Sequence, residues 1–155
     1  MPRRALAAKR KTLPDAKYHS EDLTRFIHKI MNCGKKSTAE HVVYEAMEII
    51  ERDSKKNPLE VFVRALEVGS PREGVATIEY GGVRYPKAAD LAPQRRIDLA
   101  LRWMTQGSFM SSRKNKKHMW DALAEEIIAT ANNDQQKSNC LTKRQELERQ
   151  AGASR

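Results

Sequence analysis

The stretch Gly34-Lys35-Lys36-Ser37-Thr38-Ala39-Glu40, followed by His41-Val42-Val43-Tyr44-Glu45-Ala46, joins a flexible turn, two adjacent ammonium groups and a helix start. Ser37 and Glu40 have the spacing of a capping box, in which each side chain bonds a free backbone N–H of the other residue. The sequence therefore predicts a helix capped by Ser37, with both lysines beside the positive end of its dipole. Such a place favours phosphate over most other ligands. An ordinary capped helix with a solvated basic turn explains the same residues, so this stretch alone leaves both interpretations open.

The composition points to a polyanionic partner. The chain has 155 residues, enough for one domain with a buried core. It carries 29 basic and 20 acidic residues, a net charge of +9, and its isoelectric point is about 9.7. Nucleic acid is the simplest partner for this charge. An anionic membrane is the alternative, but mean hydropathy is −0.74 and no apolar run has the length of a spanning helix, so we expect no membrane partner.

The cysteines and the N-terminus indicate a cytosol-like compartment. Cys33 and Cys140 lie outside any CxxC pair, and reduced thiols are the default for such a pattern. Residues 1–17 are basic and weakly periodic, without the apolar core of a signal peptide, although they could be mistaken for a short organelle presequence. We predict that they form a basic N-terminal arm that orders against a partner.

Three helices are predicted in the first half of the chain. Ser20 caps the first, which Gly34 ends, and Ser37 caps the second. Asn57 and Pro58 start the third, which ends at Gly69. Their apolar faces are formed by Leu23, Phe26, Ile27 and Ile30 in the first helix, by Ala39, Val43, Ala46, Met47 and Ile50 in the second, and by Leu59, Phe62, Val63 and Leu66 in the third.

A β-hairpin is predicted at about residues 74–88. Strand-like residues precede Gly81-Gly82, which is a two-residue hairpin signal, and Pro86 limits the pairing of the return strand. One hairpin among helices cannot bury both of its faces. We therefore expect it to project as an arm.

Helices return in the second half of the chain. The fourth begins after Pro93 and ends at Gly107, and residues 111–117 follow as a basic loop. A fifth helix is ended by residues 132–134, and residues 141–155 form a charged, mostly exposed helix. The predicted fold class is thus mainly α: about six helices in one bundle-like domain over residues 18–155, with a projecting β-hairpin arm and the basic N-terminal extension. Core positions in these helices are Ile97, Ala100, Leu101 and Met104, with Trp103 nearby, and Met119, Trp120, Leu123, Ala124, Ile127 and Ile128.

The sequence offers no pattern for catalysis. The four histidines, at positions 19, 28, 41 and 118, have no metal-ligand spacing. Glu125 and Glu126 are adjacent on a helix and point apart, so a solvated face explains them better than an acid/base pair. There is no GxSxG, P-loop or GxGxxG motif. We therefore expect neither enzymatic activity nor a metal or cofactor.

Positive charge is gathered in separate clusters at helix ends and loops, which favours a shared electrostatic footprint. Placement at termini argues against a single recognition helix in a DNA groove. It fits the recognition of folded RNA by shape, through phosphates and 2′-hydroxyls. The clusters are Arg3, Arg4, Lys9, Arg10 and Lys11; Lys35 and Lys36; Arg95, Arg96 and Arg102; Arg113, Lys114, Lys116 and Lys117; and Lys143 and Arg144.

The residues resemble a known family, small-subunit ribosomal protein seven (the S-seven family), in its bacterial and organellar form. The similarity is strongest from Ser20 to Ala46 and covers most of the chain. Its motifs are Met1-Pro2-Arg3-Arg4, Leu13-Pro14-Asp15, Phe26-Ile27, Gly34-Lys35-Lys36-Ser37, Val42-Val43, Asn57-Pro58-Leu59-Glu60-Val61-Phe62, Arg64-Ala65-Leu66-Glu67, Gly81-Gly82, Tyr85, and Arg95-Arg96 with Leu99-Ala100-Leu101-Arg102-Trp103.

The resemblance implies a mainly helical, non-enzymatic protein with a hairpin between the third and fourth helices. It implies binding to the 3′ major domain of small-subunit rRNA and nucleation of head assembly, near the exit-site tRNA and the mRNA exit path. Small-subunit proteins nine, eleven, thirteen and nineteen are the implied neighbours, and some bacterial members repress their own operon. The implied location is a cytoplasmic ribosome, with an organelle matrix or stroma ribosome as the alternative.

The residues expected to carry these contacts follow from the clusters and the family motifs together. For the hairpin near tRNA and mRNA they are Gly81, Gly82, Arg84 and Tyr85. For rRNA they are Arg3, Arg4, Lys9, Arg10, Lys11, Lys35, Lys36, Ser37, Arg84, Arg95, Arg96, Arg102, Arg113, Lys114, Lys116, Lys117, Lys143 and Arg144.

The chain departs from the family pattern in two places. Ile78 and Glu79 stand where the family usually carries two arginines, so Arg84 and Lys87 are the cations left for hairpin contacts with rRNA. The family tail continues beyond a Lys-Arg pair to aromatic residues, whereas this sequence stops at Arg155, so we expect weaker tail contacts.

Two other classes of function remain as alternatives. A helical DNA-binding transcriptional regulator would explain short helices and positive charge, but it predicts a duplex site and usually a two-fold dimer, and the sequence has no dimerisation stripe. A nuclease or RNA-modifying enzyme would need an acid/base pair or a metal site, and none is visible.

Overall fold

The computed structural model describes residues 12–154, and the predicted fold class is confirmed there. Six helices and one antiparallel hairpin follow in the order α1, α2, α3, β1, β2, α4, α5, α6. Residues 1–11 of the predicted N-terminal arm lie outside the described residues. The elements are α1 (Glu21–Ile30), α2 (Lys36–Ser54), α3 (Pro58–Gly69), β1 (Glu73–Tyr80), β2 (Val83–Asp90), α4 (Pro93–Asn115), α5 (Met119–Ala131) and α6 (Asn139–Ala153).

The predicted starts of α1 and α3 are confirmed. The Ser20 side chain accepts a hydrogen bond from the backbone N–H of Leu23 at 3.4 Å, and the Asn57 side chain accepts one from Leu59 at 3.0 Å. The predicted end of α1 at Gly34 is wrong, because the helix stops at Ile30 and its C-cap Met31, with ψ of 129°, has already left the helical conformation. Gly34, with φ of +75°, belongs to the turn that follows.

The capping box predicted for α2 is wrong. The helix begins at Lys36, its cap residue Lys35 makes no side-chain capping bond, and Ser37 is already inside the first turn. The Glu40 carboxylate pairs instead with the Lys36 ammonium group at 3.1 Å. The turn sets this start, since the N–H of Lys36 bonds the Gly34 carbonyl and the N–H of Ala39 bonds the Lys35 carbonyl.

The core is formed by the predicted apolar faces, with one exception. Every predicted face residue of α1 and α2 is buried. In α3, Val63 faces solvent and Ala65 is buried in its place. The rings of Phe26 and Phe62, with centroids 5.3 Å apart, join α1 to α3. Trp103 and Trp120 are partly buried and pack against this core.

Helix α4 does not end at Gly107 as predicted. Gly107 lies in the middle of the helix, where an added Cβ would come within 2.8 Å of the Asn139 Cβ and 2.9 Å of the Glu126 carboxyl carbon. The glycine therefore permits close packing of α4 on α5 and α6 and does not stop the helix. As a result the predicted basic loop 111–117 is mostly helical: Arg113 and Lys114 lie in the last turn of α4, and Lys116 is its left-handed C-cap.

The prediction that Glu125 and Glu126 form a solvated face is wrong for Glu126. Its side chain is buried, and its carboxylate accepts hydrogen bonds from the Ser138 hydroxyl at 2.9 Å and from the Cys140 N–H at 3.0 Å. Glu126 therefore bonds the first turn of α6. That turn is buried at Cys140 and Leu141, so α6 is less exposed than predicted.

The hairpin is confirmed, with Gly81 and Gly82 at its turn and strands slightly longer than predicted. Its base is fixed to α6 because the N–H of Ala88 bonds the Ser154 carbonyl and the N–H of Arg72 bonds a Glu148 carboxylate oxygen. Residues 76–87 are exposed, so the distal part projects. Among residues 12–154, no helix is both long and apolar enough to cross a membrane.

Candidate nucleic-acid interface

The turn before α2 presents two lysines to solvent. Lys35 is exposed and makes no ion pair with another described residue, while Lys36 pairs only with Glu40 of its own helix. No side chain caps α2, so the N–H groups of its first turn point outward beside both ammonium groups. Both lysines therefore lie beside the start of α2, as the sequence predicted, although Ser37 is not the cap.

A tryptophan brings the α2 turn close to the basic cluster formed by residues 113–117. The Trp120 ring stacks on His118 at 4.6 Å between centroids and lies 6.3 Å from His41 of α2. The α4–α5 turn, which precedes His118, thus lies beside the N-terminal half of α2. In this cluster Arg113, Lys114 and Lys116 are exposed and unpaired among the described residues, whereas Lys117 pairs with Glu125 at 2.5 Å.

The segment before α1 lies beside one of these lysines, Lys36. Thr12 lines a cleft of about 500 Å³ together with His28 and Lys36. The segment is fixed by Asp15, whose carboxylate accepts a hydrogen bond from the Tyr44 hydroxyl at 2.8 Å. Burial, and then this bond, raise the pKa of Tyr44 to about 12. The predicted arm residues Arg3, Arg4, Lys9, Arg10 and Lys11 lie outside the described residues.

The arginines of α4 divide into two roles. Arg95 and Arg102 are exposed, unpaired among residues 12–154 and two helical turns apart, so they share a face. Arg96 is half-buried and donates from Nε to the Pro71 carbonyl at 2.8 Å. Arg96 therefore serves mainly to hold the segment that leads into the hairpin, and less of its side chain is open to solvent.

The two cations predicted in α6 are both engaged within the chain. Lys143 pairs with Glu146 at 2.8 Å, and this bond lowers the pKa of the Glu146 carboxyl. Arg144 donates to the Val68 carbonyl of α3, and its Nε lies 3.7 Å from a Glu148 carboxylate oxygen. Arg144 thus ties α6 to α3, which the sequence could not indicate.

The hairpin carries little positive charge near its turn. Gly81 and Gly82 both have positive φ, of 59° and 82°, as a two-residue turn requires. Arg84 is exposed and lies opposite Glu79 in the strand register. Tyr85 lies opposite Ile78 and is about half exposed.

Comparison with known proteins identifies the family, because the model for ribosomal protein S7p/S5e matches residues 2–155. The chain belongs to the ribosomal protein S7p/S5e family. Small ribosomal subunit protein uS7 of Saccharophagus degradans is 40% identical over 155 residues, covering 100% of this chain and 96% of that protein. The uS7 of Archaeoglobus fulgidus is 42% identical over 147 residues, 92% of this chain and 75% of that protein. That of Nanoarchaeum equitans is 50% identical over 122 residues, 79% of this chain and 61% of that protein, which is therefore considerably longer.

Membership of the S7p/S5e family confirms the predicted resemblance and a structural role in the small ribosomal subunit. The family is one of structural ribosomal proteins, which supports the prediction that this member is not an enzyme. No group of three or more potential metal-binding side chains occurs in the part of the chain that the structure describes.

The structure adds two arginines to this S7p/S5e protein's candidate surface. Arg64 of α3 and Arg72 before β1 are exposed. They line a cleft of about 890 Å³ that also contains two further arginines and three glutamates, namely Arg96, Arg144, Glu67, Glu73 and Glu148. Each stands alone in the sequence, so a search for basic runs missed them. Arg64 does lie in one of the family motifs, Arg64-Ala65-Leu66-Glu67, whereas Arg72 has no signal beyond its position just before the hairpin.

Proposed function

We propose that the chain binds the 3′ major domain of small-subunit rRNA and helps to nucleate assembly of the subunit head. The observation that carries the proposal is the convergence of basic groups around the N-terminus of α2. The Lys35-Lys36 turn and the α4–α5 turn lie side by side at this end of the molecule. Separate stretches of sequence thus supply one extended cationic surface, as shape-based RNA recognition requires.

The proposed mechanism is neutralisation of phosphates where rRNA helices meet. The exposed lysines and arginines replace condensed counterions, which gives affinity that depends on salt. The uncapped N-termini of α2 and α5 add outward N–H groups next to these cations. Because the cations lie on rigid helix ends, binding holds the RNA junction in one geometry.

The finer contacts are part of the same proposal. We place the hairpin near the exit-site tRNA and the mRNA exit path, with Arg84 and Tyr85 as its contacts. Small-subunit proteins nine, eleven, thirteen and nineteen are the proposed neighbours, in a cytoplasmic ribosome or, alternatively, an organelle ribosome. These placements are supported by the resemblance of this chain's motifs to those of the family.

The test is binding of the purified chain to a 3′-domain rRNA fragment, to duplex DNA and to an unrelated folded RNA at two salt concentrations. We expect tight binding to the rRNA fragment and not to the other two nucleic acids, and this binding should persist at the higher salt. The logarithm of the binding constant should fall with the logarithm of the salt concentration, with a slope of about 0.7–0.9 per neutralised phosphate. Preference for duplex DNA would favour a transcriptional regulator. Equal affinity for all three, lost with salt, would contradict the proposal.

A further inference from the structure

The imidazole ring of His118 lies flat against the indole ring of Trp120 at the start of α5. The two ring centroids are 4.6 Å apart and the ring planes are inclined by only 9°, so the rings are stacked. Trp120 is partly buried and packs against the core, whereas His118 is exposed. One face of the imidazole is thus backed by the protein, and no second aromatic ring of residues 12–154 contacts His118.

Helix capping does not account for the histidine at this position. His118 is the N-cap of α5, where a Ser, Thr, Asn or Asp side chain would bond a free backbone N–H. The imidazole makes no capping bond, and with the described residues it forms no side-chain hydrogen bond or ion pair. The stack on Trp120 therefore orients the ring, and its outer face is left for a ligand.

The surroundings of this ring attract a polyanion. Residues 113–116, just before His118, supply three exposed cations that form no ion pair with another described residue. Asp121, in the first turn of α5, is partly buried. Two other nearby carboxylates already face basic side chains, Glu45 beside His41 at 3.8 Å and Glu125 paired with Lys117 at 2.5 Å. Cations that hold a phosphate backbone beside an exposed aromatic ring are the combination by which proteins bind unpaired nucleotides.

We propose that His118, held against Trp120, is a stacking platform for one unpaired base of the bound RNA. The base covers the outer face of the imidazole and extends the stack from two rings to three, while the cations of residues 113–116 hold the adjoining phosphates. The inference rests on the proposed function, since the RNA is the small-subunit rRNA of that proposal. It adds a contact that depends on an aromatic face and not on charge.

Two substitutions at position 118 separate stacking from charge. His118→Phe keeps an aromatic ring and cannot carry a charge, whereas His118→Ser removes the ring. Serine is a favoured N-cap residue, so the second variant should keep α5 folded. The measurement is the affinity of the wild type and of both variants for the 3′-domain rRNA fragment at two salt concentrations.

We expect His118→Ser to bind the fragment about 5- to 100-fold more weakly, the range for losing one base–aromatic stack, and His118→Phe to bind within about threefold of the wild type. The dependence of affinity on salt should be the same in all three proteins, because no phosphate contact is lost. Equal losses in both variants, a smaller salt slope in both, or an unchanged affinity of His118→Ser would overturn the proposal.

A crosslink identifies the base, and removing that base tests the stack from the RNA side. A p-benzoylphenylalanine probe in place of His118 should crosslink to one nucleotide of the fragment. In a fragment that lacks this base but keeps its sugar and phosphate, the wild type should lose as much affinity as His118→Ser does on the intact RNA. On that abasic fragment the serine substitution should cost nothing further. Independent, additive losses from the two changes would overturn the proposal.

Failure of the proposed function is distinguishable from failure of this inference. If the wild-type chain shows no preference for the rRNA fragment over duplex DNA and unrelated RNA, the rRNA-binding role is wrong and the stacking proposal falls with it. If the wild type binds the fragment selectively and His118→Ser binds equally well, only the stacking proposal is wrong.

Discussion

At the scale of single residues, Glu126 shows what a sequence pattern conceals. Its neighbour Glu125 is exposed and pairs with Lys117, whereas Glu126 is buried and bonds the start of α6. Adjacent positions on a helix point about 100° apart, so one of two glutamates can face the core. The sequence contains both carboxylates but not the position of α6, which decides their environments.

Glu126 gives the protein a specific dependence of stability on pH. Burial raises the pKa of the Glu126 carboxyl above its ordinary value, despite hydrogen bonds that lower it. Because the folded state holds the proton more tightly, the stability from the neutral carboxyl is fully present below the unfolded pKa and is lost as pH rises through the folded pKa. Glu126→Gln cannot titrate, so the wild type should lose free energy of unfolding relative to this variant as the pH rises through and above the ordinary range of a glutamate carboxyl.

Urea unfolding at several pH values measures this effect, with Glu126→Ala as the control. The alanine leaves the Ser138 hydroxyl and the Cys140 N–H without their acceptor and should lower the free energy of unfolding by about 1–3 kcal/mol at every pH. If the free energies of unfolding of the wild type and the glutamine variant changed with pH in parallel, Glu126 would have an ordinary pKa and the prediction would be contradicted.

At the scale of elements, local signals predicted helix starts better than helix ends. Ser20 and Asn57 cap their helices as predicted, because each bonds an N–H two or three residues away. Gly107 misled the prediction, since its role depends on Asn139 and Glu126, which are distant in the sequence. Tertiary packing therefore overrides a local stop signal where helices approach closely.

A pair of glycine substitutions tests this packing of α4 against α5 and α6. Gly107→Ala puts a methyl group within 3 Å of atoms of Glu126 and Asn139, and it should lower the free energy of unfolding by about 1–3 kcal/mol. Gly152→Ala in α6 has open space and should be neutral or raise stability by up to about 1 kcal/mol. Chemical denaturation of both variants measures the difference, and equal effects would show that the close approach has no energetic weight.

At the scale of the whole molecule, the sequence predicted the charged clusters but not their arrangement. Lys35-Lys36 and residues 113–117 are far apart in the chain, and the Trp120 contacts with His41 and His118 bring them to one end. Other predicted cations, such as Arg96 and Arg144, are used to hold the hairpin and α6 in place. Charge alone could not separate these roles, because they depend on which carbonyls lie within reach.

Reversing charge at the two ends of α2 tests the central claim most directly. Lys35→Glu/Lys36→Glu and Lys55→Glu/Lys56→Glu make the same change of charge at exposed lysine pairs, one pair at the N-terminus of the helix and the other at its C-terminus. The measurement is the affinity of each variant and of the wild type for the 3′-domain rRNA fragment at two salt concentrations. We predict several-fold or greater loss and a smaller salt slope for the first variant, since it removes phosphate contacts, and little change for the second. Equal losses in both variants, or an unchanged affinity in the first, would contradict a specific RNA-binding surface at the α2 turn.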